Sequence, residues 1–265
     1  ETDLLDPVNS VQQVHAIVLA GGSAFGLDAA PGVMRYLDEK NIGVKVGAIN
    51  VPIVPAAIIF DLNVGGKPAV RPTAECGYQA ARAATSSPVV EGSVGAGAGA
   101  TIGKAAGVAR AMKGGIGSAA IRLPDGLVVA AIVAVNALGD VVDPSSGKVI
   151  AGARTSDGRA LADARTLLRS GGMAPSRIGG NTTIGVVATN AALTKTQATK
   201  VAQMAHDGLA RAISPVHTPS DGDTIFAVAT GARQGSADLV TIGGLAAEAM
   251  ADAIVRAATQ ATGVP

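Results

Sequence analysis

Apolar residues along this chain fall in short unbroken runs, separated by stretches rich in Gly, Pro, Ser and Asp. The runs 15–20, 116–122, 127–136, 183–190 and 224–229 read as strands. Their lack of polar alternation fits strands covered on both faces. Two of them flank Pro124-Asp125-Gly126 and predict a hairpin. Helical spacing replaces the runs elsewhere. Leu27, Ala30, Met34 and Leu37 recur at steps of 3, 4 and 3. Ser23 is a candidate cap for that helix, and Pro31 retards its start. Residues 73–84 are alanine-rich and predict a second helix. Leu161, Ala164 and Leu168 predict a short third. Thr194-x-x-Gln197 spells a capping box ahead of Val201, Met204, Ala205, Leu209 and Ile213. A final amphipathic helix covers 239–255. Between these lie an irregular connection at 51–61, leading into a short strand, an expected exposed loop at 143–160 and another loop at 171–180. The pattern predicts two packed sheets with helices outside.

Composition narrows this picture. The 265 residues are 48% hydrophobic but only 2% aromatic, with 35 glycines. The core must be built from close-packed Ala, Val, Ile and Leu, which suits layered sheets and helices. A net charge of +1 without a basic block gives no reason to expect nucleic acid. The single cysteine, Cys76, excludes an intrachain disulfide and a multi-cysteine metal site. The longest apolar run, Leu127 to Val135, is too short for a membrane span. The chain opens on Glu1 rather than Met, so residues before it are expected to be missing; no signal peptide is visible, and the expected location is the cytoplasm.

Several stretches suggest chemistry. Gly179-Gly180-Asn181-Thr182-Thr183 runs directly into the 183–190 strand. A hydroxyl at a strand mouth behind a flexible hinge can attack the preceding carbonyl. Breaking Asn181–Thr182 would leave Thr182 as a new N-terminus, with its hydroxyl as nucleophile and its own amine as base. A plain loop-to-strand junction accounts for the same letters, and Asn181-Thr182-Thr183 also spells a glycosylation acceptor. The glycine-rich run 92–104 ends in Lys104 but fails the phosphate-loop pattern, because Ala98 and Ala105 stand at required positions. Lys104 is either solvated or a partly buried cation able to polarise a hydroxyl or an oxyanion. Asn136 closes an apolar strand, as a turn residue or as an oxyanion-binding amide. Asp221-Gly222-Asp223 can aim two carboxylates at one centre, without the further oxygens of a Ca²⁺ loop. His206 falls off its helix stripe and reads as a surface residue. Strand, Gly21-Gly22-Ser23 and helix resemble an anion-binding turn, though no dinucleotide fingerprint is present.

Four motifs in this order, Gly-Gly-Ser-Ala-Phe-Gly-Leu-Asp-Ala (21–29), Gly-Ala-Gly-Ala-Gly-Ala-Thr-Ile-Gly-Lys (95–104), Gly-Asn-Thr-Thr-Ile (180–184) and His-Thr-Pro-Ser-Asp-Gly-Asp-Thr-Ile-Phe-Ala (217–227), resemble the self-processing L-aminopeptidase/D-esterase and β-aminopeptidase family, which includes nylon-oligomer hydrolases. The resemblance spans nearly the whole chain. It implies a four-layer α/β/β/α sandwich like that of N-terminal-nucleophile hydrolases. It implies self-cleavage into 1–181 and 182–265, usually within a homotetramer, and a mean hydropathy of +0.38 agrees with surface to hide. Thr182 matches the nucleophile, Asp221 and Asp223 the acids that orient it, and Lys104 and Asn136 positions near the oxyanion. The Asp-Gly-Asp sequence looks more like the nylon-oligomer branch. Phe25 stands where some relatives carry Tyr. Family chains usually begin with further strands.

The chemistry expected is attack on an amide or ester of a short peptide, amino-acid amide or oligomer, through an acyl-enzyme. It calls for no cofactor and no metal. Acyl transfer to an amine, of the ornithine acetyltransferase kind, is the second enzymatic reading. An uncleaved relative acting as a binding or scaffold protein is the third.

Overall fold

The computed structural model describes residues 1–175, 180–235 and 238–263. Four strands make the central sheet, in the order Thr224–Ala229, Thr182–Thr189, Val128–Asn136, Ile116–Arg122. The last two are the expected hairpin, antiparallel from Ile116↔Ala134 to Arg122↔Val128. Thr182–Thr189 lies inside the sheet, antiparallel to Val128–Asn136 and parallel to Thr224–Ala229.

Side-chain alternation assigns the two faces of this sheet. Val129, Ala131, Val133, Val135 and Val187 join the core beneath two long helices, Lys195–Ala212 and Leu239–Thr259. Ile132, Ala134, Ile184 and Val186 face the other way, toward Leu19, Ala57 and Ile59. Those belong to or adjoin a parallel pair, Val18–Ala20 with Ala56–Ile58. Beyond that pair, Val33, Met34 and Leu37 of the Ala29–Glu39 helix pack with Val18 and Val54. Ala74–Ala83, capped by the Thr73 side chain, packs beside that helix. The order helix, sheet, sheet, helix is therefore four-layered. Small residues permit it. A Cβ on Gly208 would lie 2.4 Å from the Ala247 carbonyl oxygen, so the two long helices meet this closely only over glycine.

The Thr194–Gln197 capping box forms with both reciprocal bonds. Three expectations need correction. The run 15–20 shortens to Val18–Ala20, which lies in the second sheet while the other four expected strands share the first. Ser23 does not cap a helix through its side chain; it starts a 3₁₀ segment, Ser23–Asp28, ahead of the α-helix. The loop expected at 143–160 contains a strand, Val149–Ala151, paired with Asp140–Val142. Buried Asp140 pins the chain beyond Val149–Ala151, accepting from Ala153 N at 2.8 Å and Ala164 N at 2.6 Å. Three-residue strands carry too little pattern to be read from sequence. The 171–180 loop lies partly outside the described residues.

Candidate active site

Thr182 opens its strand directly opposite Asn136, the last residue of Val128–Asn136. Period-two alternation puts Thr182 on the face of Ile184, and Asn136 on the face of Ala134. Both therefore face the space between the two sheets. Thr183 falls on the opposite side. Asn181, Thr182, Thr183, Asn136 and Lys104 are all buried, Lys104 at 8% exposure.

Lys104 reaches this place because Gly103 adopts φ +75, turning the chain out of strand Thr101–Ile102. Its ammonium donates to Asn136 Oδ1 at 2.9 Å, Thr101 O at 3.0 Å, Asn136 O at 3.1 Å and Ala137 O at 3.3 Å. No carboxylate among the described residues touches it, and burial pulls its pKa down to about 7, against a smaller upward pull from Asp221. Lys104 is thus the buried cation of the two sequence readings. Asn136 Oδ1 also accepts from Thr101 N, while its amide donates to Phe60 O at 3.0 Å. Asn136 ties Lys104 to the loop after Ala56–Ile58 as well as closing its strand.

The 217–224 segment supplies the other wall. Asn181 and Asp221 form a parallel bridge, and Gly222 N donates to the Asn181 carbonyl oxygen at 3.2 Å. Thr182 Oγ1 donates to that same oxygen. Asp221 Oδ2 accepts from Thr218 Oγ1 at 2.6 Å and Thr218 N at 3.0 Å. Its Oδ1 is buried and, among the described residues, unpartnered, as is Asn181 Oδ1. Asp223 Oδ1 accepts from Thr183 N at 2.7 Å, fixing the residue after Thr182. Burial raises the Asp223 pKa, the largest influence on it.

All six residues singled out in the sequence, Lys104, Asn136, Asn181, Thr182, Asp221 and Asp223, are linked through this cluster. The Gly222 N–H is missing from the sequence reading. A glycine between two acids is the available signal, since a Cβ there would lie 3.1 Å from Thr182 Oγ1. His206, read as a surface residue from its helix stripe, is half-buried and contacts His217 beside Asp223. The Gly21-Gly22-Ser23 turn does hold an anion, its own Asp61, whose Oδ1 accepts from Gly22 N at 2.7 Å. Phe25 lies exposed under the Arg71 guanidinium, 3.8 Å from the ring centre. No group of three or more His, Cys, Asp or Glu able to hold a metal occurs among the described residues. No described helix is long and apolar enough to cross a membrane.

The arrangement offers a hydroxyl against a carbonyl, a backbone N–H on the carbonyl oxygen, and a cation and two carboxylates nearby. That is the equipment for acyl transfer.

The sequence model of peptidase family S58 matches residues 1–265. A Mycobacterium bovis protein described as an uncharacterized aminopeptidase is 48% identical over 237 residues, covering 88% of this chain and 66% of the relative. A 6-aminohexanoate-oligomer endohydrolase of Kocuria sp. is 32% identical over 266 residues, covering 92% of this chain and 71% of that protein. Among solved structures, the L-aminopeptidase D-Ala-esterase/amidase of Ochrobactrum anthropi, described as a variant of the Ntn hydrolase fold, superposes with a TM-score of 0.61 at 20% identity. The match covers 91% of this chain and 65% of that one. The four layers are those of an Ntn-type hydrolase fold. The chain spans just under two thirds of the mycobacterial relative's length.

Proposed function

The chain belongs to peptidase family S58, and from that premise we propose that it is a self-processing N-terminal-threonine amide hydrolase. One observation carries the proposal: the Asn181 carbonyl oxygen meets both the Thr182 hydroxyl and the Gly222 N–H.

In the first stage, Thr182 Oγ1 attacks the Asn181 carbonyl carbon and gives up its proton. Negative charge gathers on the carbonyl oxygen, where Gly222 N–H already points. Collapse breaks the C–N bond, and the Thr182 nitrogen leaves as an amine, having gained a proton. Asn181 is now an ester on Thr182 Oγ1. Water cleaves that ester, giving 1–181 with a free carboxylate and 182–265 with a free N-terminal threonine. The released amine finds an acceptor in Asp221 Oδ1, the buried oxygen that has no donor among the described residues before cleavage.

In the second stage, the Thr182 amine takes the proton of its own hydroxyl, which attacks the substrate amide. An acyl-enzyme forms, the amine product departs, and water releases the acid. Lys104, held by Asn136, supplies positive charge to this centre. Asp221 and Asp223 hold the segment on either side of Gly222. The scheme uses no metal or cofactor.

Short peptides, amino-acid amides or oligomers are the substrates this reading favours. The names of the relatives, aminopeptidase and 6-aminohexanoate-oligomer endohydrolase, support hydrolysis over acyl transfer. A homotetramer in the cytoplasm completes the proposal. Incubating the processed protein with an amide substrate and quenching in acid tests it. A mass increment equal to the acyl group, carried on the Thr182 fragment, is expected. Turnover without any acyl adduct on that fragment would contradict it.

A further inference from the structure

Outside the groups used above, one titratable cluster touches the site. Asp223 Oδ2 is held twice by one residue: His217 Nδ1 at 2.8 Å and His217 N at 3.3 Å. When Asp223 is ionised its carboxylate only accepts, and His217 Nδ1 is then the donor. The other ring nitrogen, His217 Nε2, faces His206 Nδ1 at 3.3 Å, and the rings lie 4.9 Å apart. His206 comes from the long Lys195–Ala212 helix, half-buried. His217 sits at φ +52, a conformation rarely adopted by non-glycine residues. Backbone and ring are thus both committed to Asp223.

We infer that His217, backed by His206, is a positioning residue that keeps Asp223 ionised and aimed at the Thr183 N–H. This rests on the assignment of Thr182 as nucleophile. Asp223 Oδ1 holds Thr183 N, so the carboxylate fixes the strand entry that presents the Thr182 hydroxyl to Asn181. Buried and next to Asp221, Asp223 gains from any donor that favours its charged form. His217 is that donor from one side, and Thr183 N–H from the other. The charged and titratable groups around the pair are Asp221, facing Asp223, and Asp207, near His206 on the same helix. The His217 side chain is part exposed and the Asp223 carboxylate nearly buried, so the pair links the site to solvent.

The test compares His217→Gly with His217→Asn. Glycine keeps φ +52 accessible and deletes the donor. Asparagine tolerates the same backbone and returns an N–H close to the Nδ1 position. Self-cleavage in His217→Gly should slow roughly tenfold or more. Its acid limb should move to higher pH, because Asp223 protonates more readily without the ring. In turnover the loss should fall on kcat, with KM little changed. His217→Asn should recover most of the rate and the position of the limb. A Gly variant with unchanged rate and pH profile would overturn the inference, as would an Asn variant that is no better than Gly. Either failure leaves the nucleophile assignment standing, since that is tested separately by Thr182→Ala and by the acyl adduct on the Thr182 fragment.

Discussion

Gly222 donates its N–H to the carbonyl oxygen of Asn181 across 3.2 Å, the oxygen on which charge develops if Thr182 attacks. The bond depends on how closely residue 222 passes Thr182. A methyl group there would sit 3.1 Å from Thr182 Oγ1. Gly222→Ala should therefore push the hydroxyl or the donor aside and slow self-cleavage by about tenfold or more, as expected for a displaced oxyanion donor. The rate at which the 265 − 181 = 84-residue fragment appears on a denaturing gel reads this directly.

Lys104 gives a stability prediction with a definite sign. Its folded pKa of about 7 lies below the ordinary 10.5. Between those values the unfolded chain holds a proton that the folded chain has lost, so this lysine's contribution to stability rises with pH across that window. Denaturant melts should show wild type gaining on Lys104→Met as pH rises through it. A difference independent of pH would contradict the burial.

Self-cleavage does not involve a free Thr182 amine, so the basic limb of its pH profile reports Lys104. With the ammonium as the useful form, the rate should fall as pH rises through about 7. Lys104→Met should be slow at every pH and lack that limb. Timed quenching of freshly refolded chain measures both.

Asp221→Asn and Asp223→Asn should each slow processing and turnover by roughly 10²-fold, by loosening the segment that carries Gly222. Asp140→Asn should behave differently. Both Asp140 oxygens accept backbone N–H groups, and an amide NH₂ cannot accept. That variant should lose about 1–3 kcal/mol of stability in a urea melt, while its folded fraction still cleaves.

Much of this was legible in the sequence where one element carried the signal by itself. Thr194 and Gln197 announce their capping box, the helix expected at 73–84 forms as Ala74–Ala83, and the hairpin around Pro124-Asp125-Gly126 forms. Thr182 was legible as a strand mouth behind glycines. The alignment of Thr182 with Asn136 was not, because register between distant strands is set by packing on both faces. The clasp of His217 on Asp223 and the reach of His206 join a loop to a helix, and no periodicity reports such a pair. Asp140–Val142 and Val149–Ala151 escaped because each is three residues long and bounded by Gly, Ser and Asp.

The central claim, that Thr182 cuts its own chain and then does the chemistry, is tested most directly by intact mass and N-terminal sequencing under denaturing conditions, alongside an amide-hydrolysis assay. Wild type should give two fragments, the smaller beginning at Thr182. Thr182→Ser should give the same two more slowly, because the hydroxyl remains. Thr183→Ala should still process, because Thr183 lies on the opposite face of the strand. Thr182→Ala should remain one folded chain of 265 residues without hydrolytic activity. A folded Thr182→Ala chain that cleaves at Asn181, or that hydrolyses amides at the wild-type rate, would contradict the account.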